Sequence, residues 1–269
     1  MEERMKKSDL FVLAVLLAAS PFAHPAGSLN AGEPELTALQ ILRKADAVVG
    51  APADQEVTLE MILVDASGKE TSRGARMWQK GSDRRMVKFT SPAEQKGIGF
   101  LDLPGDMMYL YMPAFRKERR IASHVTNTSF AGTDFTYDDM AAINYADKYS
   151  PTLLESDTAK PASPLAEPYV LKLTPRENVT SDYSKLVMSV RRDNFYPARI
   201  EYYSKDGKLW KVMARTEIEN IDGYWVAREA EMSDLKKAHK TRMVMREVKC
   251  DQGLSDDLFS LRYLKRSSD

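Results

Sequence analysis

The sequence carries one cysteine and three histidines among 269 residues, and its 39 basic side chains are balanced by 39 acidic ones. Cys250 alone closes no intramolecular disulfide, and so few thiols and imidazoles build neither a cysteine framework nor a transition-metal site. Zero net charge removes the electrostatic pull on which nucleic-acid binding rests. No apolar run approaches the roughly 20 residues with which a helix crosses a bilayer. No G-x-S-x-G, P-loop or dinucleotide-binding glycine pattern occurs, and Lys96-Gly-Ile-Gly99 is too short and strand-like to cradle a phosphate. What is present is enough for a core: 43% hydrophobic residues beside 29% charged ones.

Arg4, Lys6 and Lys7 precede an unbroken apolar run from Leu10 to Ala19, followed by Ser20-Pro-Phe-Ala23 and His24-Pro-Ala26. This is the layout of a secretory signal peptide over residues 1–26, with cleavage expected at Ala23, Ala26 or Ala31. No cysteine follows the run, so no lipid attachment is expected there. The expectation is an exported, periplasmic chain whose residues 27–269 form a single domain, and a lone buried cysteine suits an oxidising compartment.

Residues 35–49 place Ala38, Ile41, Leu42, Ala45, Val48 and Val49 on one helical face, and Gly50 and Pro52 stop the pattern. The period then changes to two: Val57, Leu59, Met61 and Leu63 alternate with their neighbours, and Ser67-Gly68 turns the chain into a second run at 73–80. Similar alternation recurs through 83–122, at 151–156 and through 169–249, with Asp206-Gly207 and Asp222-Gly223 as hairpin signals. The stretch 123–150 breaks it and predicts a long excursion with a short helix at about 137–144. Three prolines mark 160–168 as a loop. The expected fold is mainly β with few helices: an open half-barrel of roughly ten to twelve antiparallel strands, covered by the N-terminal helix and the internal lid helix.

His124 and His239 have no second ligand at metal spacing, and Asp134, Asp138 and Asp139 lack an EF-hand pattern; capping of a helix start explains the aspartates better than calcium. The basic group Arg116-Lys-Glu-Arg-Arg120 reads as a solvated strand face. The unusual feature is methionine. Twelve of fourteen lie beyond the apolar leader, and Met61, Met77, Met86, Met107, Met108, Met112, Met188, Met213, Met232, Met243 and Met245 fall in expected strands, where β-branched residues are the usual choice. Flexible thioethers adapt to varied apolar shapes, either as core or as the wall of a ligand cavity. The lining expected for such a cavity is Leu59, Met61, Leu63, Met108, Leu110, Met112, Leu186, Met188, Met213, Met243 and Met245. On 106–112 the alternative parity, Met107, Tyr109 and Tyr111, carries two phenols that want water or a partner. The expected lid residues are Ile41, Leu42, Phe130, Phe135, Met140 and Ile143.

The stretch Gly99 to Ile121, with its tyrosine-rich strand ending in Pro113 and its Arg119-Arg120 turnback, precedes Ser129-Phe-Ala-Gly-Thr-Asp-Phe-Thr-Tyr-Asp-Asp-Met140. Together with the apolar leader, the early helix and Asp256-Asp-Leu-Phe259, these blocks resemble the outer-membrane lipoprotein-sorting protein family, in a LolA-like branch. The resemblance implies an open β-barrel whose mouth is plugged by helices, and a periplasmic role in carrying lipoprotein acyl chains or another hydrophobic cargo toward the outer membrane. It also implies partnership with an inner-membrane transporter of the resistance-nodulation-division type and an outer-membrane acceptor. The proline-rich insert is a departure from the family pattern, and the arginine that governs lid closure there has no matched position in this sequence. The alternative is an RseB-like periplasmic sensor or interaction module; an enzyme ranks third, because no converging titratable set is visible. No cofactor, no metal and no nucleic-acid partner is expected, and the chain is expected to be a monomer. Chelation with EDTA is therefore expected to leave the melting temperature unchanged; a large fall reversed by one metal would show the aspartates of 134–139 to be ligands.

Overall fold

Thirteen strands, each antiparallel to its neighbours, form one open sheet in the computed structural model, which describes residues 35–141, 144–154, 167–177 and 179–266. They are β1 (Asp54–Val64), β2 (Glu70–Lys80), β3 (Arg84–Phe89), β4 (Gly99–Leu103), β5 (Met107–Met112), β6 (Lys117–Ile121), β7 (Tyr149–Leu154), β8 (Tyr169–Pro175), β9 (Tyr183–Val190), β10 (Pro197–Ser204), β11 (Leu209–Ile221), β12 (Tyr224–Asp234) and β13 (His239–Cys250). The helices are α1 (Ala38–Val49), α2 (Tyr137–Met140), α3 (Tyr145–Lys148) and α4 (Leu261–Leu264). The apolar leader 1–26, its cleavage points, Ile143 and most of the proline-rich loop lie outside the described residues.

The strand total exceeds the expected ten to twelve, and the short β6 and β7, which fall within the expected strand runs 83–122 and 151–156, form the two edges of the sheet. The single helix expected at about 137–144 is instead two separate turns: Ala141 goes extended at ψ 162 and ends α2. Local chemistry explains the rest. Thr37 and Gln40 form a reciprocal capping box that starts α1, which buries Ile41, Leu42 and Ala45. Asp222 (φ 51) and Gly223 (φ 92) both occupy the left-handed region that a two-residue hairpin turn between twisted strands requires.

The strand order is β6-β5-β4-β3-β2-β1-β13-β12-β11-β10-β9-β8-β7. Two meanders are thus joined only where β1 meets β13, with Met61 opposite Met243 and Leu59 opposite Met245. One row of directly opposed residues runs Leu153, Leu171, Met188, Ile200, Met213, Met232, Thr241 and Leu63, from β7 to β1. Met61, Met188, Met213, Met232 and Met243 therefore serve one continuous face, whereas Met86 packs on the other side of the sheet. That face is curled: Met108 of β5 and Leu186 of β9 border the same cavity although nine inter-strand steps separate them, about 43 Å in a flat sheet.

The inner face forms the main core with α1 and the excursion between β6 and β7. A second cluster lies on the opposite face of β2 to β5, where Trp78, Met86 and Leu101 meet Phe259 and Leu264. Strands β3 and β4 are covered on both sides, and their burial patterns are nearly continuous rather than alternating. This C-terminal strap was not foreseen, although Leu254, Leu258, Phe259, Leu261 and Leu264 carry an apolar signal after β13. Lys88 fixes it by donating to the carbonyls of Tyr263 (3.1 Å) and Arg266 (2.5 Å), and burial lowers that amine to about 8. The strap also accounts for the glycine of Lys96-Gly-Ile-Gly99: a Cβ on Gly99 would stand 2.7 Å from Leu264 Cδ1. Because Leu264 is fully buried, Gly99→Ala should cost about 1–3 kcal/mol of stability by chemical denaturation, whereas Gly105→Ala, with open space but a positive φ, should cost only about 1 kcal/mol.

Candidate functional site

The excursion from Ser123 to Lys148 reaches the inner face of the sheet, and each residue of its Phe-x-Gly-Thr-Asp-Phe block has an assignable place. Phe130 is a plug. Its ring stacks on Phe89 of β3 at 5.7 Å and meets Phe100 and Tyr137 edge-on, each also at 5.7 Å. Gly132 supplies a positive φ of 78, and the Thr133 hydroxyl donates to the Phe130 carbonyl at 2.8 Å, closing a tight loop. Asp134 fastens that loop to the sheet: its carboxylate accepts from the Thr241 hydroxyl at 2.7 Å and lies 2.6 Å from His239 Nδ1, while Lys211 Nζ donates to its carbonyl at 2.8 Å. Thr136 caps α2, and Asp139 returns the bond to the Thr136 backbone N–H at 2.8 Å. Asp138 accepts from the Thr126 hydroxyl at 3.0 Å. The three aspartates thus anchor and cap the loop.

Two polar groups then hold the short helices down. Arg85 of β3 donates from Nη1 to the carbonyls of Met140 (3.1 Å) and Ala141 (2.8 Å), which lie at the C-terminal end of α2, and its other nitrogens donate to Gln79. A cation at a helix C-terminus meets unpaired carbonyls and the negative end of the helix dipole. Burial lowers the Arg85 guanidinium to about 10, still charged at neutral pH. Arg85 is not alone there, since Arg73 of β2 donates to the Ala131 carbonyl at 2.5 Å and Arg176 to that of Ala146 at 3.0 Å, and no spacing in the sequence pointed to Arg85. On the other side, Asp46 of α1 accepts from the backbone N–H groups of Tyr145 (3.1 Å) and Ala146 (2.8 Å), joining α1 to α3. Burial raises its pKa to about 6.

The apolar residues expected to line a cavity are mostly packed. Leu59, Met61, Leu63, Leu186, Met188, Met213 and Met243 are buried in the main core with the lid residues Ile41, Leu42, Phe130, Phe135 and Met140. Met108 is buried there too, with Leu110 and Met245 half-buried against the cluster, and Met112 is half-buried outside it. On β5, Tyr109 and Tyr111 face the strap instead.

Two voids flank the lid. A cavity of about 380 Å³ lies between α1, α3, β2, β3 and β11, where Arg43, Asp46, Arg85, Asp139, Arg215 and Met213 are among its walls. A larger one of about 770 Å³ takes Met108 and Leu186 into a wall that is otherwise mainly aspartate, tyrosine and small polar residues. Burial opposes the charge on Arg215, but the phenols of Tyr196, Tyr145 and Tyr202 hold it above the ordinary guanidinium value. The site is therefore an apolar interior closed by a lid whose outer fastenings are polar.

Comparison with known proteins agrees with this geometry. A family model described as "Uncharacterized protein" matches residues 81–266, more than half of the chain. An outer membrane lipoprotein-sorting protein domain from Vibrio parahaemolyticus superimposes with a TM-score of 0.77 at 25% identity, covering 85% of this chain and 98% of that one. A LolA superfamily protein from Nitrosomonas europaea gives 0.70 at 26% identity, covering 85% and 100%. The chain belongs to the matched family, and its fold is LolA-like. A DUF1329 family protein from Desulfovibrio piger shares the LolA-like fold at a TM-score of 0.77 and 24% identity, covering 84% of this chain and 97% of its own. No curated protein matches the sequence.

Two measurements test the polar contacts that hold α2 and α3. In Arg85→Met, which keeps apolar volume and removes the donors, amide exchange of Met140, Ala141 and Tyr145–Lys148 should quicken at least about tenfold while β1 and β13 are unchanged. Because Asp46 has a folded pKa above its ordinary 3.8, its contribution to stability is full below about pH 4 and is lost as pH rises through about 6. Between those limits Asp46→Asn, which keeps an acceptor for the same N–H groups, should lose less stability than the wild type, by on the order of 1 kcal/mol after allowing for partial exposure.

Proposed function

We propose that the protein is a periplasmic carrier that shelters lipoprotein acyl chains, or another hydrophobic lipid cargo, between the methionine-rich face and the lid for transfer toward the outer membrane. It is exported through a cleaved leader at residues 1–26, acts as a monomeric single domain over 27–269, receives cargo from an inner-membrane transporter of the resistance-nodulation-division type, and passes it to an outer-membrane acceptor. It performs no catalysis and uses no cofactor.

The observation that carries this reading is the contrast between the lid's two attachments. Beneath it, the row from Leu171 to Met232 and the side chains of Leu59 and Met61 form an apolar surface of adaptable shape. At its rim it is held by Arg85 and Asp46, through four hydrogen bonds to backbone groups. Each such bond contributes about 1–3 kcal/mol at most. An acyl chain that buries about ten methylenes gains about 8 kcal/mol. The gain from cargo is therefore of the same order as these four bonds, and the lid opens without loss of the sheet. The fold shared with the outer membrane lipoprotein-sorting protein domain from Vibrio parahaemolyticus and the LolA superfamily protein from Nitrosomonas europaea supports the same assignment.

The lining includes Leu59, Met61, Leu63, Met108, Leu110, Met112, Leu186, Met188, Met213, Met243 and Met245, exposed as Phe130, Phe135 and Met140 withdraw. Leu110 is the informative position, since it is only half-buried and tolerates a charge that a fully buried leucine would not. Leu110→Asp should retain the wild-type circular dichroism spectrum and bind a fluorescent fatty-acyl probe at least about tenfold more weakly. Retained binding by the folded variant would refute this lining. Mass spectrometry of organic extracts from the natively purified protein should show a co-purifying acyl lipid.

A further inference from the structure

We propose that the larger cavity is a site for an organic ammonium group, the amine-bearing end of an amphiphilic cargo. This deepens the carrier reading and rests on it for the acyl portion. Seven aspartates and a single lysine, Lys148, stand in the wall of this space of about 770 Å³, which is of ligand size. Lys148 is already committed, lying 3.4 Å from Asp106. Four tyrosines join the aspartates in two packed pairs, Tyr145 with Tyr149 at 5.9 Å between ring centres and Tyr183 with Tyr202 at 5.0 Å.

Two buried polar atoms in this wall lack a well-formed hydrogen bond among the described residues: the hydroxyl of Tyr202, in a residue 2% exposed and beside the Tyr145 phenol, and the side-chain carbonyl oxygen of Asn144. A buried polar atom left unpaired is costly, and both atoms accept hydrogen bonds from an N–H donor. Burial holds Asp138 and Asp139 above the usual carboxylate range, a penalty that a cation seated beside them relieves.

The chemistry of the wall selects among ligands. An anion meets net negative charge and is excluded. A metal ion needs three or more convergent ligands, and no such group exists among the described residues. An alkylammonium is suited to carboxylates interleaved with aromatic rings, because it gains from both and carries its own apolar surface. Met108 and Leu186 in the same wall belong to the main apolar core. A molecule with an ammonium head and an acyl tail therefore spans the cavity and the inner face.

The test compares lysophosphatidylethanolamine with lysophosphatidylglycerol of equal chain length, and free spermidine, by calorimetric titration of the full chain. The amine-bearing lipid should bind at least tenfold more tightly, and Asp138→Asn/Asp182→Asn, or Asp182→Asn alone if the double variant loses its native circular dichroism, should abolish that preference without weakening the glycerol lipid's binding. Equal affinity for both lipids in the wild type would overturn the ammonium site and leave the carrier reading intact. Binding of spermidine without either lipid, lost in the aspartate variant, would support the cation site with a free amine as its source and overturn the carrier reading. Tighter binding of calcium, displacing spermidine, would overturn the proposal in favour of a metal.

Discussion

The antiparallel pairing of β1 with β13, from Gln55 opposite Cys250 to Val64 opposite Lys240, joins two meanders that share no other ladder. Each meander is local, built from hairpins and short connections, and each alone leaves an apolar face without a cover. Once joined, the thirteen strands curl far enough for β5 and β9 to border one cavity. The lid, the strap and both voids exist only in that curled arrangement. The junction closes a sequence separation of nearly two hundred residues, and such non-local contacts are costly in chain entropy before they are rewarded.

The sheet uses its two faces for different purposes. On the outer face of β2 to β5 the strap is a fixed cover: Leu264 is inserted against Gly99, and Lys88 ties its backbone. On the inner face, beside α1, part of the cover is made of one-turn helices, which have little stability of their own and depend on Arg85, Asp46 and Asp134 for position. An element with few intrinsic hydrogen bonds and a polar hold is of the kind that opens below the global unfolding free energy. The difference separates what the fold needs from what the proposed carrier role requires to move.

Charge is distributed with the same economy. The neutral overall composition conceals a cavity with seven aspartates against one lysine, and a smaller cavity in which Arg43, Arg85 and Arg215 stand near Asp46 and Asp139. Net charge describes the surface field at a distance, whereas a ligand inside a void senses the few groups in its wall.

Much of this architecture was legible in the sequence. Alternation in Val57 to Leu63, the Asp222-Gly223 turn and the face of Ile41 and Leu42 are local patterns, and local sterics and periodicity settle them within a few residues. The Phe130 to Asp139 block was visible as a motif, but its meaning was not. Its parts act on Phe89, Phe100, Thr241 and Lys211, which come from four other strands. Arg85 looked like any charge on an alternating strand, because the carbonyls it serves lie 55 and 56 residues away. The strap was missed because Leu264 and Gly99 are meaningful only as a pair. By itself the sequence determined most of the elements, their turns and a methionine-rich apolar face; only the tertiary structure decided which arginines meet the excursion, which side chains fill the interior and where the aspartates converge, since those depend on distances set by how the two meanders close on one another.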